Sequence, residues 1–173
     1  MAVEHMAHRA QQGITVEHLE APAAARAEEA FRRIYAEAFA EPPYRETEDD
    51  VAATFHRFRT AARERSFRAA LARTHTGEPV GMALGRLLAD GGQHGFDLLE
   101  LAVRAPWRGQ GIARRLHDAV VESTGAEYVR LNVHPEAGAA QAAYRAWGYR
   151  KTGRARPVDG AELHDTMLLV IHK

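Results

Sequence analysis

One short run constrains this chain more than any other: Leu98-Leu-Glu-Leu-Ala-Val-Arg-Ala-Pro-Trp-Arg-Gly-Gln-Gly-Ile-Ala-Arg114. An apolar strand enters a turn, and the turn opens a helix with glycines spaced Gly109-x-Gly111. Without Cβ atoms in the way, backbone N–H groups can converge there. The start of the helix adds unpaired donors and the positive end of its dipole. Together these make a cradle for an anion, and a phosphate-bearing ligand is the first expectation.

Spacing removes two nucleotide-binding readings. A P-loop requires Gly-Lys-Ser/Thr after its first glycine, and no lysine precedes Lys151. A dinucleotide fingerprint requires a third Gly or Ala where Arg114 stands, early in a doubly wound sheet. This segment lies too late in the chain for that.

A third pattern fits. Arg108-Gly-Gln-Gly-Ile-Ala113 resembles the Arg/Gln-x-x-Gly-x-Gly/Ala signature of the GNAT superfamily of acyl-CoA-dependent N-acetyltransferases. Glu100-Leu-Ala-Val103 before it resembles that family's fourth strand. Ala137-Gly-Ala-Ala-Gln-Ala-Ala-Tyr-Arg-Ala-Trp-Gly-Tyr149 after it resembles the helix that ends in Tyr-x-x-x-Gly-Phe/Tyr. The match spans roughly residues 96 to 153, with both motifs in the expected order. The resemblance implies an α/β (α+β) fold: a mixed, mostly antiparallel sheet of six to seven strands, flanked by about four helices. A splayed parallel strand pair would bind CoA.

Composition sets the remaining bounds. A chain of 173 residues can bury about 70% of its unfolded surface as one domain. No apolar run approaches the roughly 20 residues needed to span a bilayer, and the first residues lack a signal-peptide core. Cysteine is absent, which removes disulfides, thiolate metal sites and a thiol nucleophile. Formal charge is zero, so no basic field argues for nucleic acid or membrane. None of the ten histidines forms a His-x-x-x-His pair, and no metal is expected. A cytoplasmic location follows as the expectation.

Residues 1–12 lack periodicity and read as a flexible N-terminus; residues 13–173 read as a single acetyltransferase domain. Gly13 to Leu19 alternates as a strand. Apolar residues from Ala30 to Phe39 follow helical spacing up to Pro42-Pro43. Thr47 caps a second helix that carries Val51, Phe55, Phe58 and Ala62 inward. Strands Phe67–Arg73 and Val80–Leu88 follow, then a Gly-rich connection from Asp90 to Gly95 and a strand from Phe96 to Val103. A helix from Gly109 to Ser123, a strand from Tyr128 to Val133 and a helix from Ala139 to Trp147 precede a last strand pair, Tyr149–Gly153 and Met167–Ile171.

The resemblance assigns roles to numbered positions. Backbone groups of Arg108, Gly109, Gln110, Gly111, Ile112, Ala113 and Arg114 would hold the pyrophosphate of acetyl-CoA. The strand end Leu101-Ala102-Val103 would lend main-chain bonds to its pantetheine arm. Tyr144 would protonate or steady the leaving thiolate. An alkylamine near neutral pH is on the order of one part in a thousand neutral, so a general base helps. The candidates are Glu100 and Asp97, with water or His134 as alternatives. Three residues apart in an ideal strand, the two carboxylates should face opposite sides of the sheet. Many relatives carry asparagine seven residues before the tyrosine; here it is Ala137, and that contact is not carried over.

Phe39 and Tyr44 would wall the acceptor pocket, and acids from Glu46 to Asp50 could attract a cationic amine. The leading expectation is acetylation of a primary amine on a small molecule, by direct transfer in a ternary complex. Acetylation of a protein N-terminus or lysine is the alternative enzyme reading, expected to favour an open groove. An acyl-CoA-binding sensor that does not need Tyr144 is the third. Dimers are common among relatives, so a homodimer is compatible with the resemblance.

Overall fold

The computed structural model describes residues 13–171, so the expected flexible N-terminus lies outside the described residues. One seven-stranded sheet organises them: β1 (Thr15–Glu20), β2 (Phe67–Arg73), β3 (Pro79–Asp90), β4 (Gln93–Val103), β5 (Tyr128–Val133), β6 (Arg150–Ala155) and β7 (His164–Val170). Their spatial order is β1-β2-β3-β4-β5-β7-β6. Every neighbouring pair is antiparallel except β4 and β5, which are parallel. The expected mixed, mostly antiparallel sheet with a splayed parallel pair is therefore present.

Five helices are described: α1 (Ala21–Arg26), α2 (Glu28–Phe39), α3 (Glu48–Ala61), α4 (Ile112–Glu122) and α5 (Gly138–Ala146). The helix expected from Ala30 to Phe39 is α2, and a short helix the sequence reading did not separate, α1, precedes it across Ala27. α3 begins as its sequence suggested: Thr47 accepts from the Asp50 amide while Asp50 accepts from the Thr47 amide. Such a reciprocal cap contributes about 1 kcal/mol.

The sheet separates two cores. On one face, Phe31, Ile34, Phe55 and Phe58 of α2 and α3 pack on Ala69, Leu71, Met82 and Ala102. On the other, Ile112, Leu116 and Val120 of α4 pack on Ala70, Val80, Phe96 and Leu98. The alternation of side chains along β2 to β4 feeds both layers.

Two departures from the sequence reading concern β4. It begins at Gln93, not Phe96, because Gly91 and Gly92 both hold positive φ and close a tight hairpin with β3. More consequential is a bulge: Leu84 pairs Glu100, whereas Gly85 pairs Leu98, leaving Leu99 as the extra residue. The bulge resets the alternation. Asp97, opposite Arg86, and Glu100, opposite Leu84, therefore face the same α2–α3 side. The opposite-face expectation for these two acids is corrected on that ground.

Space at the bulge is tight, since a Cβ on Gly85 would stand 2.2 Å from the Asp97 carbonyl oxygen. The obstacle is backbone and cannot rotate away. Gly85→Ala is expected to lower unfolding free energy by about 1–3 kcal/mol in urea titration. Unchanged stability would mean that this crossing is looser than described.

Candidate functional site

The parallel pair β4–β5 is short. Its register runs only from Gly95 opposite Tyr128 to Leu98 opposite Leu131. Past the bulge, Glu100 to Val103 stay paired with β3 while the strands diverge. The Arg104 amide donates to the Val80 carbonyl, so alternation turns the main-chain groups of Leu101 and Val103 towards the split. One of them is already used: the Val103 carbonyl accepts from Arg108 Nε at 2.8 Å.

Beyond β4, a short 3-10 turn (Ala105–Trp107) leads to Gly109 and Gly111, both at φ +79°. Gly111 is the N-cap of α4, and no side chain caps this helix. The first amides of a helix have no acceptor within it, so here they form a positively polarised main-chain cradle suited to an anion. The Arg108 guanidinium is not aimed into it; besides Val103, it pairs with Glu41 at 2.7 Å. Arg114 pairs with Asp118 and lies over the Trp147 ring, and Arg115 donates to the Ile14 carbonyl. The cradle is therefore a main-chain feature with arginine side chains at its borders.

On the α2–α3 side of the split, the aromatic residues form a wall. Tyr35 stacks on Phe39 at 4.3 Å, and Phe39 meets Tyr44 edge-on at 4.7 Å. Tyr44 in turn meets His134, at the end of β5, with ring centroids 5.7 Å apart. The α2–α3 connection folds back so that the Glu46 amide donates to the Phe39 carbonyl. That return presents both Tyr44 and Glu46 to the wall.

Glu100 sits in this enclosure. Its carboxyl makes no hydrogen bond or ion pair among the described residues. The residue keeps partial exposure, yet the surrounding protein displaces enough water that burial pushes its pKa up to about 8, helped by the charge of Glu46 and opposed by Arg57. Tyr44 and Tyr144 lie within the same field: burial first, and then Glu100 among other neighbours, raises both phenols. Tyr144 is buried on α5, edge-on to Trp147 and near Tyr149, and its hydroxyl has no protein partner among the described residues.

Asp97 has a different setting. It is buried and faces Arg130 at 3.3 Å and Arg86 at 3.7 Å, so two guanidiniums already hold its charge. His134 is also committed. The Glu136 amide donates to its Nδ1, which places the ring proton on Nε2, 2.6 Å from Glu162. With both nitrogens engaged, His134 joins β5 to the β6–β7 loop and has no free lone pair for an incoming proton. Sequence reading missed this link, and it missed Tyr35, whose hydroxyl donates to Glu46 at 2.6 Å. Helical spacing marked Tyr35 as core, and only the need of a buried hydroxyl for an acceptor hinted otherwise. Ala137 stands at the N-cap of α5, where no side-chain cap forms. A separate open recess of about 650 Å³, bordered by Tyr128, Arg130, Leu168 and Val170, lies at the other end of β5. It gathers none of these groups.

The family model described as acetyltransferase (GNAT) family matches residues 24–149. No curated protein sequence matches the chain. Among solved structures, the ribosomal-protein-S18-alanine N-acetyltransferase of Escherichia coli is 22% identical at a TM-score of 0.67, with 92% of this chain and 95% of that one covered. The PaiA N-acetyltransferase of Thermoplasma acidophilum, solved with coenzyme A, is 14% identical at 0.68, covering 91% and 99%. Arabidopsis thaliana Naa50, solved with the bisubstrate analogue CoA-Ac-MVNAL, is 16% identical at 0.63, covering 92% and 99%. These likenesses are of fold.

The raised pKa of Glu100 has a measurable sign. The fold favours the protonated carboxyl, so ionisation costs stability as pH rises through about 8. Glu100→Gln is therefore expected to gain stability relative to the parent between about pH 5 and about pH 9 in urea denaturation. A difference that does not change with pH would place this carboxyl in bulk solvent.

Proposed function

Because the chain belongs to the GNAT family of acetyltransferases, we propose that it moves an acetyl group from acetyl-CoA to a primary amine of a small molecule, by direct attack in a ternary complex. The carrying observation is the divergence of β4 from β5, followed along the chain by an uncapped helix start, with an unpaired carboxyl on β4 and an unpaired phenol close enough to sense its charge. The helix start at Gly109 to Arg114 suits the pyrophosphate of acetyl-CoA, and the strand end Leu101 to Val103 suits its pantetheine arm. Neither position needs a side-chain ligand. That agrees with arginines that are already engaged elsewhere.

In the proposed reaction Glu100 takes the proton from the acceptor ammonium, and the amine nitrogen attacks the thioester carbonyl carbon. Negative charge on the carbonyl oxygen meets a strand N–H at Leu101 or Val103. The C–S bond then breaks with the Tyr144 hydroxyl hydrogen-bonded to the departing sulfur. The proton still carried by the attacking nitrogen passes to that thiolate, leaving the amide and the CoA thiol. Chemistry favours these assignments: a carboxyl near pKa 8 is a competent base at neutral pH, and a phenol with no other partner is available to donate. Asp97, clamped by two arginines, supports the strand instead. With no cysteine in the chain, no acyl-thiol intermediate on the protein is needed.

The small-molecule acceptor rests on closure. Tyr44 reaches His134, and His134 holds Glu162 of the β6–β7 loop, so two connections meet over the split. That arrangement favours a bounded pocket over an open peptide groove. The test is CoA release from acetyl-CoA with a panel of small primary amines beside peptides bearing a free N-terminus. Turnover confined to the peptides would transfer the acceptor to proteins.

Two variants examine the roles. Tyr144→Phe is expected to lower kcat about 10²-fold while leaving CoA affinity, by calorimetry, within about threefold. Unaltered turnover removes Tyr144 from the reaction, and CoA binding without amine-dependent release favours a sensor. Glu100 is faced by Tyr35, Tyr44, Glu46, Arg57 and Tyr144. The parent's kcat/KM is expected to rise with pH through an apparent pKa of about 8. In Glu100→Gln this limb should vanish together with most of the rate.

A further inference from the structure

Charge pairing among the described residues follows a rule with two exceptions. Every other described acid that is buried or half-buried has a cationic partner. Glu28 has Arg59, Glu41 has Arg108, Glu78 has Arg104, Asp97 has Arg86 and Arg130, Asp118 has Arg114, and Asp165 has Lys151. Glu46 and Glu100 have none, although both lie against the same aromatic wall. Arg57 acts on both from a distance but is bonded to Thr54. Leaving carboxyls in partial burial without a cation is unfavourable, so the missing charge is expected from a ligand.

Glu46 is also held in place. Tyr35, packed between Phe39 and Phe55, donates its hydroxyl to Glu46, with Oη 2.6 and 2.9 Å from its two carboxylate oxygens. The Tyr35 hydroxyl also contacts Thr54 at 3.3 Å. A neutral donor orients the carboxylate without cancelling its charge. The carboxylate therefore stays available to a cation while its direction is fixed by a stacked ring. Glu48, Asp49 and Asp50, by contrast, are exposed and belong to the first turn of α3.

We propose that Glu46, oriented by Tyr35, binds a second positive charge of the acceptor, so that the protein selects amines carrying two cationic groups. One ammonium gives its proton to Glu100 and is acetylated, and the other remains charged and pairs with Glu46. The substrate class is then a small diamine, polyamine or diamino sugar, and a monoamine is a poor acceptor. This inference rests on the acetyl-transfer reading of the site.

The experiment compares n-alkylamines with α,ω-diaminoalkanes of equal chain length, following CoA release from acetyl-CoA. In the parent, the best diamine is expected to exceed its monoamine in kcat/KM by about tenfold or more, the scale of one charge-assisted bond. In Glu46→Gln that ratio is expected to fall to within about twofold of one, mostly through KM of the diamine. Glu46→Asp should keep part of it, and Tyr35→Phe should give an intermediate ratio. The acid limb of monoamine activity should also move to lower pH in Glu46→Gln, because Glu100 loses a like charge. A merely structural role for Glu46 would leave the ratio unchanged. A parent ratio near one, or a ratio unchanged in Glu46→Gln, overturns the inference while leaving acetyl transfer to amines standing. A peptide with a free N-terminus and a lysine, preferred over every diamine, overturns the small-molecule class. No CoA release with any amine, from a protein that binds acetyl-CoA by calorimetry, overturns the transfer reading and this inference with it.

Discussion

The separation of β4 from β5 after Leu98 is the constraint on which the rest of the site depends. Two parallel strands that stayed paired would satisfy each other's main chains and leave no slot. Here four register pairs hold the strands together, and one extra residue, Leu99, then changes the path of β4. A broken ladder is costly where its polar groups are buried, unless something else satisfies them. Arg108 meets one such group, the Val103 carbonyl, from inside the protein. An extended ligand with amide groups is suited to the others.

The same bulge sorts the charged groups. It brings Asp97 and Glu100 to one face, and their surroundings then separate them. Asp97 lies where β3 and β5 both present arginines, so its carboxylate is balanced and belongs to the framework. Glu100 lies beyond the last β4–β5 pair, where no arginine forms an ion pair with it among the described residues, against aromatic side chains from α2 and its connection. Two carboxylates on one strand thus acquire different properties from position alone. The contrast of environments, more than either residue type, marks which of them is suited to proton transfer.

Much of the architecture was legible in the chain. The Gly109-x-Gly111 turn, the Tyr144 helix and, apart from the added α1, the order of elements stand in the fold as the sequence suggested. Local rules sufficed there, because glycine spacing and helical periodicity are properties of short segments. The bulge was not legible: nothing in Leu98-Leu99-Glu100 distinguishes a regular strand from one with an extra residue, since the cause is the approach of β3 at Gly85. For the same reason the facing of Asp97 and Glu100 was misjudged. His134, Tyr35 and Glu46 take their roles from partners 28, 11 and 11 residues away, respectively. Spacing rules do not reach contacts made by tertiary packing.

The partly enclosed cleft resolves a difficulty built into the proposed chemistry. An amine in water is overwhelmingly charged and cannot attack, and a carboxylate in water is too weak a base to change that. Partial desolvation acts on both in useful directions, raising the acid and lowering the ammonium. Proton transfer from ammonium to Glu100 converts an ion pair into a neutral pair, which a water-poor environment favours. The arriving cation still needs attraction before it loses its charge. In the proposed reaction a second carboxylate beside the base would supply that attraction, and the Tyr35 bond to Glu46 works in this sense: it opposes the rise that burial imposes on Glu46. In the proposed reaction, attraction and deprotonation would thus fall to different carboxyls, Glu46 steadied by a phenol and Glu100 left bare.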